Sequence, residues 1–341
     1  MTSSASQATQ SKEIVLASRP DEMPKPENFR SSTATLTPIN DGEFLVKNQW
    51  MSVDPYMRGR MKDGDSYVKP FQIDEPLEGG CVGEVVESQN SKFNVGDIVL
   101  GNFGWREYWK SNGHGTTIVD AKRVPPQTYL GVLGMTGMTA WVGLNVIAKL
   151  QSGSTVFVSA ASGAVGSIVV QLAKAKGCRV IGSAGHSDKI AWLEANTKID
   201  AVINYKETDD LLRALSSAAP DGIDVYFDNV GGDHLEAALA AMNDFGCCVE
   251  CGMISTYNAS EPPAAPRNLA NVIGKRIRMQ GFIVRDHMDS RDEFIGDMIP
   301  LIDSKQVVWE ESVVDGIENA PDAFIGLFKG HNLGKQLVRI A

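Results

Sequence analysis

The segment from Ser154 to Ser167 constrains the fold of this chain more than any other. It reads Ser-Thr-Val-Phe-Val-Ser-Ala-Ala-Ser-Gly-Ala-Val-Gly-Ser. Thr155–Ser159 is a β-branched and aromatic run typical of a buried strand, and the apolar side chains of Ala164–Lys176 recur at helical spacing. The sequence therefore predicts a strand that turns tightly into a helix.

Two glycines, Gly163 and Gly166, lie in the predicted turn. Without side chains at these positions, the unpaired N–H groups of the first helical turn can face a pyrophosphate, and the helix dipole favours that contact. The pattern from Ala160 to Gly166 is Ala-x-x-Gly-x-x-Gly, which is weaker than the full Gly-x-Gly-x-x-Gly fingerprint. A plain connector also favours glycine, but the flanking strand and helix patterns favour a dinucleotide-binding turn.

Composition restricts the partners and the compartment. The 341 residues, 43% hydrophobic and 22% charged, are ordinary for a globular protein of two domains. The net charge of −10 argues against nucleic acid or an anionic membrane as the main partner, and no run approaches membrane-spanning length. The five cysteines form no disulfide-like framework and no signal peptide precedes them, so we expect a cytoplasmic protein.

The chain divides into regions of different pattern. Residues 1–12 are polar and are expected to form a flexible tail, whereas residues 13–130 contain short extended runs broken by Pro and Gly, typical of a β-domain. Residues 131–309 alternate strands with helices, which predicts a doubly wound parallel sheet. The final strand, Lys335–Ile340, is expected to return to the first domain, so residues 310–341 are assigned there. The predicted fold class is α/β with an added β-domain.

The end of the second predicted parallel strand indicates which dinucleotide is bound. It reads Gly182-Ser183-Ala184-Gly185-His186-Ser187-Asp188-Lys189. An NAD site usually carries an acidic residue about 20 residues after the glycines, where it binds the ribose 2′-hydroxyl. Here no acid ends the strand, and Lys189 follows within one helical turn. The charge pattern favours NADPH over NADH, although Asp188 partly offsets Lys189 and many surface lysines are only solvated.

Two later strands also end in small residues. These ends read Asp228-Asn229-Val230-Gly231-Gly232 and Cys251-Gly252-Met253-Ile254-Ser255. In a doubly wound sheet, both ends face the same crevice as the glycine turn, and small residues let the backbone approach a cofactor. Each end alone is compatible with an ordinary turn, but the three together indicate a cofactor cleft.

Other catalytic patterns lack support. The segment Glu78–Val85 has glycine where a zinc-dependent dehydrogenase of similar layout carries a ligand histidine. Cys248 and Cys251 fall in a predicted buried strand, where residues three apart point to opposite faces, so we interpret them as core residues. The histidines are scattered, and neither Tyr-x-x-x-Lys nor Gly-x-Ser-x-Gly occurs. We therefore expect hydride chemistry without a metal.

Five segments together are similar to those of one protein family: Ser52–Arg58, Ala160–Ser167, Tyr226–Gly232, Gln280–Val284 and Asn332–Lys335. Over almost the whole chain after the tail, the sequence resembles the zinc-independent medium-chain dehydrogenase/reductase superfamily. The likeness is specifically to its leukotriene B4 dehydrogenase/prostaglandin reductase and alkenal double-bond reductase branch. The resemblance implies a GroES-like β-domain, a Rossmann NADPH-binding domain and, usually, a homodimer.

Matching of motifs implies a set of cofactor contacts. Ser162–Val165 would hold the pyrophosphate, Lys189 and Tyr205 the 2′-phosphate, and Asn229 the ribose side. The full implied set is Ser162, Gly163, Ala164, Val165, Gly166, Lys189, Tyr205, Asn229, Cys251, Gly252, Met253, Ile254, Ser255, Tyr257, Phe282, Ile283, Val284 and Asn332. Two positions depart from the family pattern: Gly274 stands where relatives often have Tyr, and Thr136 where they commonly have Pro.

The resemblance also implies the reaction. NADPH would deliver a hydride to the β-carbon of an α,β-unsaturated ketone or aldehyde, and the resulting enolate would need electrostatic stabilisation and a proton. The candidate donors are Tyr56, a ribose hydroxyl of the cofactor or a bound water, although Tyr56 could equally only pack beside Pro55. Arg58 is expected to support this loop by ion pairing. Quinone reduction, trans-acting enoyl reduction, and a non-catalytic NADPH-binding structural or sensor role are the alternatives.

Overall fold

The computed structural model describes residues 8–261 and 263–341, and its first elements are two strands. β1 (Thr9–Leu16) pairs antiparallel with β2 (Phe29–Leu36). The predicted tail is therefore wrong for residues 9–12, while its residues 1–7 lie outside the described residues. The polar residues of β1 are stabilised by distant partners: the fully buried Ser11 hydroxyl donates to the Tyr108 carbonyl and accepts from its N–H. Local composition does not reveal such pairing.

Further short strands follow in the N-terminal part of the chain. They are β3 (Phe44–Ser52), β4 (Cys81–Ser88), β5 (Ile98–Gly101), β6 (Tyr108–Ser111) and β7 (Thr117–Ile118), with the short helix α1 (Met57–Arg60) after β3. The strand β7 ends at Ile118. It stops there because the Asp120 carboxylate accepts the Lys122 N–H, which closes a turn.

Strands and helices then alternate from Gly131. They are α2 (Met135–Val142), β8 (Thr155–Val158), α3 (Gly166–Ala175), β9 (Arg179–Ala184), α4 (Ser187–Asn196), β10 (Ala201–Asn204), α5 (Leu211–Ala218), β11 (Ile223–Asp228), α6 (Gly232–Ala241), β12 (Met242–Glu250), α7 (Asn271–Gly274), β13 (Arg278–Gly281) and α8 (Arg291–Asp303). A π-helical turn, Gly143–Ile147, extends α2. Because both faces of the sheet are covered, its strands are continuous apolar runs such as Val156–Val158.

The six strands of this part form one parallel sheet in the order β10-β9-β8-β11-β12-β13. The chain first adds strands on one side of β8 and then returns to add β11 on the other side. The direction of winding therefore reverses between β8 and β11. In such sheets, ligands bind outside the carboxyl ends of the strands at the point of reversal. The predicted fold class, a doubly wound parallel sheet plus a β-domain, is confirmed.

The last elements are β14 (Glu311–Asp315), α9 (Ala320–Lys329) and β15 (Lys335–Arg339). β15 is antiparallel to β3 in a seven-stranded sheet of order β14-β15-β3-β4-β5-β7, in which β6 pairs with β3. The fully buried Asn48 side chain supports this sheet, because its amide donates to two backbone carbonyls and its oxygen accepts the Trp109 indole N–H at 2.8 Å.

The chain forms two compact units. One contains the described residues up to Leu130 together with Ser312–His331 and Gln336–Ala341, and the other contains Gly131–Glu311 and Asn332–Lys335. The expected assignment of residues 310–341 to the first domain is thus interrupted, because Asn332–Lys335 belongs to the second unit. Within the described residues, no helix has both the length and the apolar character needed to cross a bilayer.

Candidate cofactor-binding site

The glycine turn joins β8 to α3. The Gly163 N–H donates to the Ala160 carbonyl at 2.9 Å, and Ala160 has a φ of +48°, so the turn is tight. A side chain at Gly166 would collide with the Ala160 carbonyl oxygen, whereas one at Gly163 would lie 3.2 Å from it. Gly166 therefore allows α3 to pack closely against the turn.

The first turn of α3 offers backbone donors. In the described part of the chain, no hydrogen bond uses the N–H groups of Ala164, Val165 or Gly166, whereas the Ser167 N–H donates to the Gly163 carbonyl at 3.0 Å. No side chain caps this ten-residue helix. Unpaired donors at the positive end of a helix fit the pyrophosphate of a dinucleotide.

The segment Asn332–Lys335 lies beside this turn. The Gly334 N–H donates to the Ser162 carbonyl at 2.9 Å, and the Asn332 side-chain amide donates to the Gly334 carbonyl at 2.8 Å. Gly334 has a φ of +64°, and a side chain there would collide with the Glu310 carbonyl. The tertiary structure thus places Asn332 next to the glycine turn, although the two are far apart in the sequence.

The loops after β11 and β12 are bonded to each other and to the end of β8. Asn229 donates its backbone N–H to the Ser159 hydroxyl at 2.9 Å and its side-chain amide to the Ser159 carbonyl at 2.8 Å. The Ile254 N–H donates to the Asn229 carbonyl, and the Ser255 N–H donates to the Val230 carbonyl. Predicted cofactor residues from three strand ends therefore lie together.

The remaining predicted contacts follow β12 and β13. The Tyr257 hydroxyl accepts the Met253 N–H at 3.4 Å and would lie 3.0 Å from a side chain at Gly252, so Tyr257 folds back over its own loop. Cys251 begins this loop, and burial raises the pKa of its thiol to about 12. After β13 come three half-buried residues, Phe282, Ile283 and Val284.

A group of basic side chains lies at the ends of β9 and β10. The Lys206 ammonium is 3.0 Å from Nε2 of His186, and the Tyr205 ring lies against Gly185. Burial lowers the pKa of Lys189, Asp188 raises it, and the charge of Lys206 lowers it again. Sequence reasoning found Lys189 and Tyr205 but missed Lys206 and His186, although Lys206 directly follows Tyr205.

Two carboxyl groups lie side by side at the ends of β11 and β12. Asp228 and Glu250 are register partners in adjacent parallel strands. One Asp228 oxygen accepts the Tyr226 hydroxyl at 2.7 Å and the Val230 and Gly231 N–H groups at 2.8 Å each. The other Asp228 oxygen and both Glu250 oxygens are buried and accept no bond from the described residues.

The protonation of Glu250 follows from its surroundings. Burial raises the pKa of Glu250 to about 8, and the neighbouring charge of Asp228 adds to the rise. The carboxyl group of Glu250 therefore keeps its proton at neutral pH. In the sequence, Asp228 is recognisable as the end of a strand, whereas Glu250 becomes its neighbour only through the pairing of β11 with β12.

Tyr56 and Arg58 lie in the other unit. Tyr56 precedes α1 and is half-buried against the core of that unit. Arg58 is fully buried, and its Nη2 donates to the carbonyls of Pro20, Asp21 and Glu22 at 2.7–3.4 Å. Hydrogen bonds to backbone carbonyls therefore support this loop, and the nearby Asp21 adds a favourable charge to Arg58.

The segment around Gly79, where a zinc-dependent dehydrogenase carries a ligand histidine, packs closely against neighbouring side chains. A side chain at Gly79 would collide with the Met57 methyl group, and Glu78 pairs with Arg60 at 2.7 Å. Cys248 is fully buried in β12, and Cys251 lies just beyond that strand. Across residues 8–261 and 263–341, no group of three or more His, Cys, Asp or Glu side chains is arranged to hold a metal ion.

The chain forms a doubly wound sheet with a glycine turn at its point of reversal, and it also forms a β-rich unit. This combination defines a two-domain nucleotide-dependent oxidoreductase. Family comparisons agree, since residues 12–119 match the family described as "N-terminal domain of oxidoreductase" and residues 164–304 match "Zinc-binding dehydrogenase". The chain belongs to the zinc-independent medium-chain dehydrogenase/reductases, in their double-bond reductase branch. The second description names zinc, but Gly79 and its packing leave no ligand side chain there.

Individual relatives cover nearly the whole chain. The "2-alkenal reductase (NADP(+)-dependent)" of Nicotiana tabacum is 42% identical, over 97% of this chain and 97% of the relative. Prostaglandin reductase 1 of Bos taurus is 42% identical, over 93% and 95%. The crystal structure of CurA from Vibrio vulnificus in complex with NADPH is 41% identical, covers 97% of this chain and 99% of its own, and superposes with a TM-score of 0.93.

Proposed function

We propose that this protein uses NADPH to reduce the C=C bond of α,β-unsaturated ketones and aldehydes, without a metal ion. The observation that carries the proposal is the arrangement at the carboxyl ends of β8, β9 and β10. There a glycine turn with unused N–H groups accompanies two lysines, and no acidic residue ends β9. The names of the tobacco and bovine relatives support the substrate class, and the NADPH complex of CurA supports the cofactor.

The residues present fit NADPH. The donors of Ala164, Val165 and Gly166 would bind the pyrophosphate, since they have no other partner among the described residues. Lys189 and Tyr205 would bind the 2′-phosphate. Asn229, Asn332 and the loops after β12 and β13 would contact the rest of the cofactor. When bound, NADPH supplies the hydride that reduces the β-carbon of the substrate.

The protein itself must stabilise the negative charge that develops on the substrate carbonyl oxygen. A hydrogen-bond donor aimed at this oxygen is the largest catalytic contribution expected for such a reaction. We assign this role to the Tyr56 hydroxyl, because Tyr56 is only half-buried while its neighbour Arg58 is fully buried and donates to backbone carbonyls. Gly274 cannot donate a phenol, so water is expected to deliver the proton to the α-carbon.

Steady-state kinetics test the proposal. NADPH oxidation should be fast with enals and enones, slower with quinones, and weak when NADH replaces NADPH. Replacement of Tyr56 by Phe should lower kcat by about tenfold to a hundredfold, with little change in the NADPH KM, since a donor to the developing charge is removed. Turnover of quinones alone, or NADPH binding with no turnover of any activated alkene, would favour the alternative functions instead.

The proposal includes a homodimer in the cytoplasm. β13 ends the parallel sheet and has a neighbouring strand on one side only among the described strands, with Arg278 and Gln280 exposed. Such an edge can pair with a second copy of the same strand. The five cysteines form no disulfide, which suits a reducing compartment. Light scattering after gel filtration should give twice the 36.8 kDa chain mass.

A further inference from the structure

Lys206 occupies a turn directly after β10. The Asn204 carbonyl accepts the Glu207 N–H at 3.1 Å, and the Asn204 side-chain oxygen accepts the Lys206 N–H at 3.2 Å. These two bonds fix the backbone on both sides of Lys206. The exposed side chain of Lys206 therefore starts from a defined point at the carboxyl end of the sheet.

The Lys206 ammonium is held by His186. Its Nζ lies 3.0 Å from Nε2 of this histidine, the residue immediately before α4. Because an ammonium can only donate, the imidazole Nε2 is the acceptor in this arrangement. In the part of the chain that the structure describes, Lys206 forms no ion pair with a carboxylate, so its charge is not neutralised locally.

Two positive charges are thus brought into one region. Lys189 lies in the first turn of α4 and is partly buried; burial lowers its pKa, and the charge of Lys206 adds to that lowering. Like charges repel, and burial increases the cost because water screens them less. The negative charge of Asp188 offsets part of this cost for Lys189. A bound anion would remove the repulsion.

We propose that Lys206, positioned by His186, is a second cationic contact for the 2′-phosphate of NADPH and shares with Lys189 the discrimination against NADH. This inference rests on the proposed NADPH-dependent function. A phosphate monoester carries a charge of about −1.5 to −2 at pH 7. One lysine cannot balance that charge, whereas the charges of Lys189 and Lys206 together match it. Tyr205, which directly precedes Lys206, adds a hydroxyl group as a further hydrogen-bond donor.

The direct test compares two probes that differ only in the 2′-phosphate, 2′,5′-ADP and 5′-AMP, by calorimetry on the full chain. Lys206→Gln should weaken the binding of 2′,5′-ADP by about tenfold, as expected for one charge-assisted hydrogen bond at an exposed site, and leave 5′-AMP unchanged. The matched control is Lys198→Gln, an exposed lysine in the loop at the opposite end of β10. The control should change neither affinity.

His186 acts through Lys206, so its variants give a different readout. His186→Ala should reduce the preference for 2′,5′-ADP over 5′-AMP, and His186→Gln should restore much of it, because the glutamine oxygen can accept from the Lys206 ammonium. If His186 only caps α4, its replacement should change the affinities for both probes equally. That result would show that His186 does not position Lys206.

Two further outcomes separate this inference from the function on which it rests. If the wild-type protein prefers 2′,5′-ADP and Lys206→Gln keeps the full preference, the role of Lys206 is overturned while NADPH dependence stands. If the wild-type protein binds both probes with equal affinity, the proposed NADPH dependence itself fails and the role of Lys206 fails with it.

Discussion

The carboxyl ends of the strands carry basic side chains in one half of the parallel sheet and acidic side chains in the other half. At the ends of β9 and β10 the chain places Lys189 and Lys206, and at the ends of β11 and β12 it places Asp228 and Glu250. The carboxyl oxygens are buried in a network with the adjoining loop, whereas Lys206 is exposed. Strand ends of the same sheet therefore have different roles. The acidic half holds the adjoining loop by hydrogen bonds, and the basic half is suited to bind an anion.

The largest expected effect is on stability, in the acidic half. Asp228→Ala leaves the Tyr226 hydroxyl and the Val230 and Gly231 N–H groups without their acceptor, so the free energy of unfolding should fall by about 3–5 kcal/mol. Urea denaturation measures this change. Lys206→Gln, the matched substitution in the basic half, should stay within about 0.5 kcal/mol of wild type. Equal losses in both halves would contradict the comparison.

The next effect is on binding, in the basic half. Lys189→Ala should weaken NADPH by about 1–3 kcal/mol and leave NADH nearly unchanged, because only NADPH carries the phosphate that the ammonium binds. Nucleotide fluorescence titration with both coenzymes provides the measurement. If both coenzymes lose affinity to the same extent, Lys189 does not bind the 2′-phosphate.

The pH dependence of stability probes the proton on Glu250. The folded-state pKa of Glu250, about 8, lies above its ordinary value of 4.5, so the folded chain keeps a proton that the unfolded chain releases within that window. The contribution is therefore complete below pH 4.5 and is lost as the pH rises toward 8.

Glu250→Gln should remove this dependence, with a slope that is shallower by up to about 1.4 kcal/mol per pH unit. Urea denaturation of both proteins at pH 6, 7 and 8 measures the difference. Parallel stability curves for wild type and variant would show that Glu250 does not hold the proton.

The smallest effect concerns Gly274, at the end of the short helix α7. No atom lies within 4 Å of the position that a Cβ would take there, so Gly274→Tyr should change the free energy of unfolding by less than about 0.5 kcal/mol. Thermal unfolding tests this tolerance. Gly166→Tyr, which meets the Ala160 carbonyl, is the contrasting variant and should destabilise strongly. Strong destabilisation by Gly274→Tyr would show that the space is needed for packing.

Local patterns allowed much of the second unit to be predicted. The strand expected over Thr155–Ser159 and the helical spacing of Ala164–Lys176 agree with β8 and α3 to within two residues, because buried parallel strands and amphipathic helices depend on periodic apolar residues. β1, β2 and β14 were not predicted, since their polar residues are stabilised by partners distant in sequence. Ser11, for example, bonds to Tyr108 across the fold.

The candidate site shows the same division. Sequence motifs and charge identified Gly163, Gly166 and Lys189, because each is defined by residue type at a short spacing from a strand. His186 and Lys206 were missed because they are 20 residues apart and meet only through the pairing of β9 with β10. Glu250 was missed for the same reason, since its partner Asp228 lies on the neighbouring strand.

The sequence by itself determined the strand–turn–helix that can receive a pyrophosphate, because glycine spacing and apolar periodicity act within one segment, and it also showed that no acid ends β9. Only the tertiary structure decided which side chains share a strand end. It placed Lys206 beside His186, Glu250 beside Asp228, and Asn332 beside the glycine turn. The reason is that register between strands, and with it the distance between charges, is set by hydrogen bonds and packing that join remote parts of the chain.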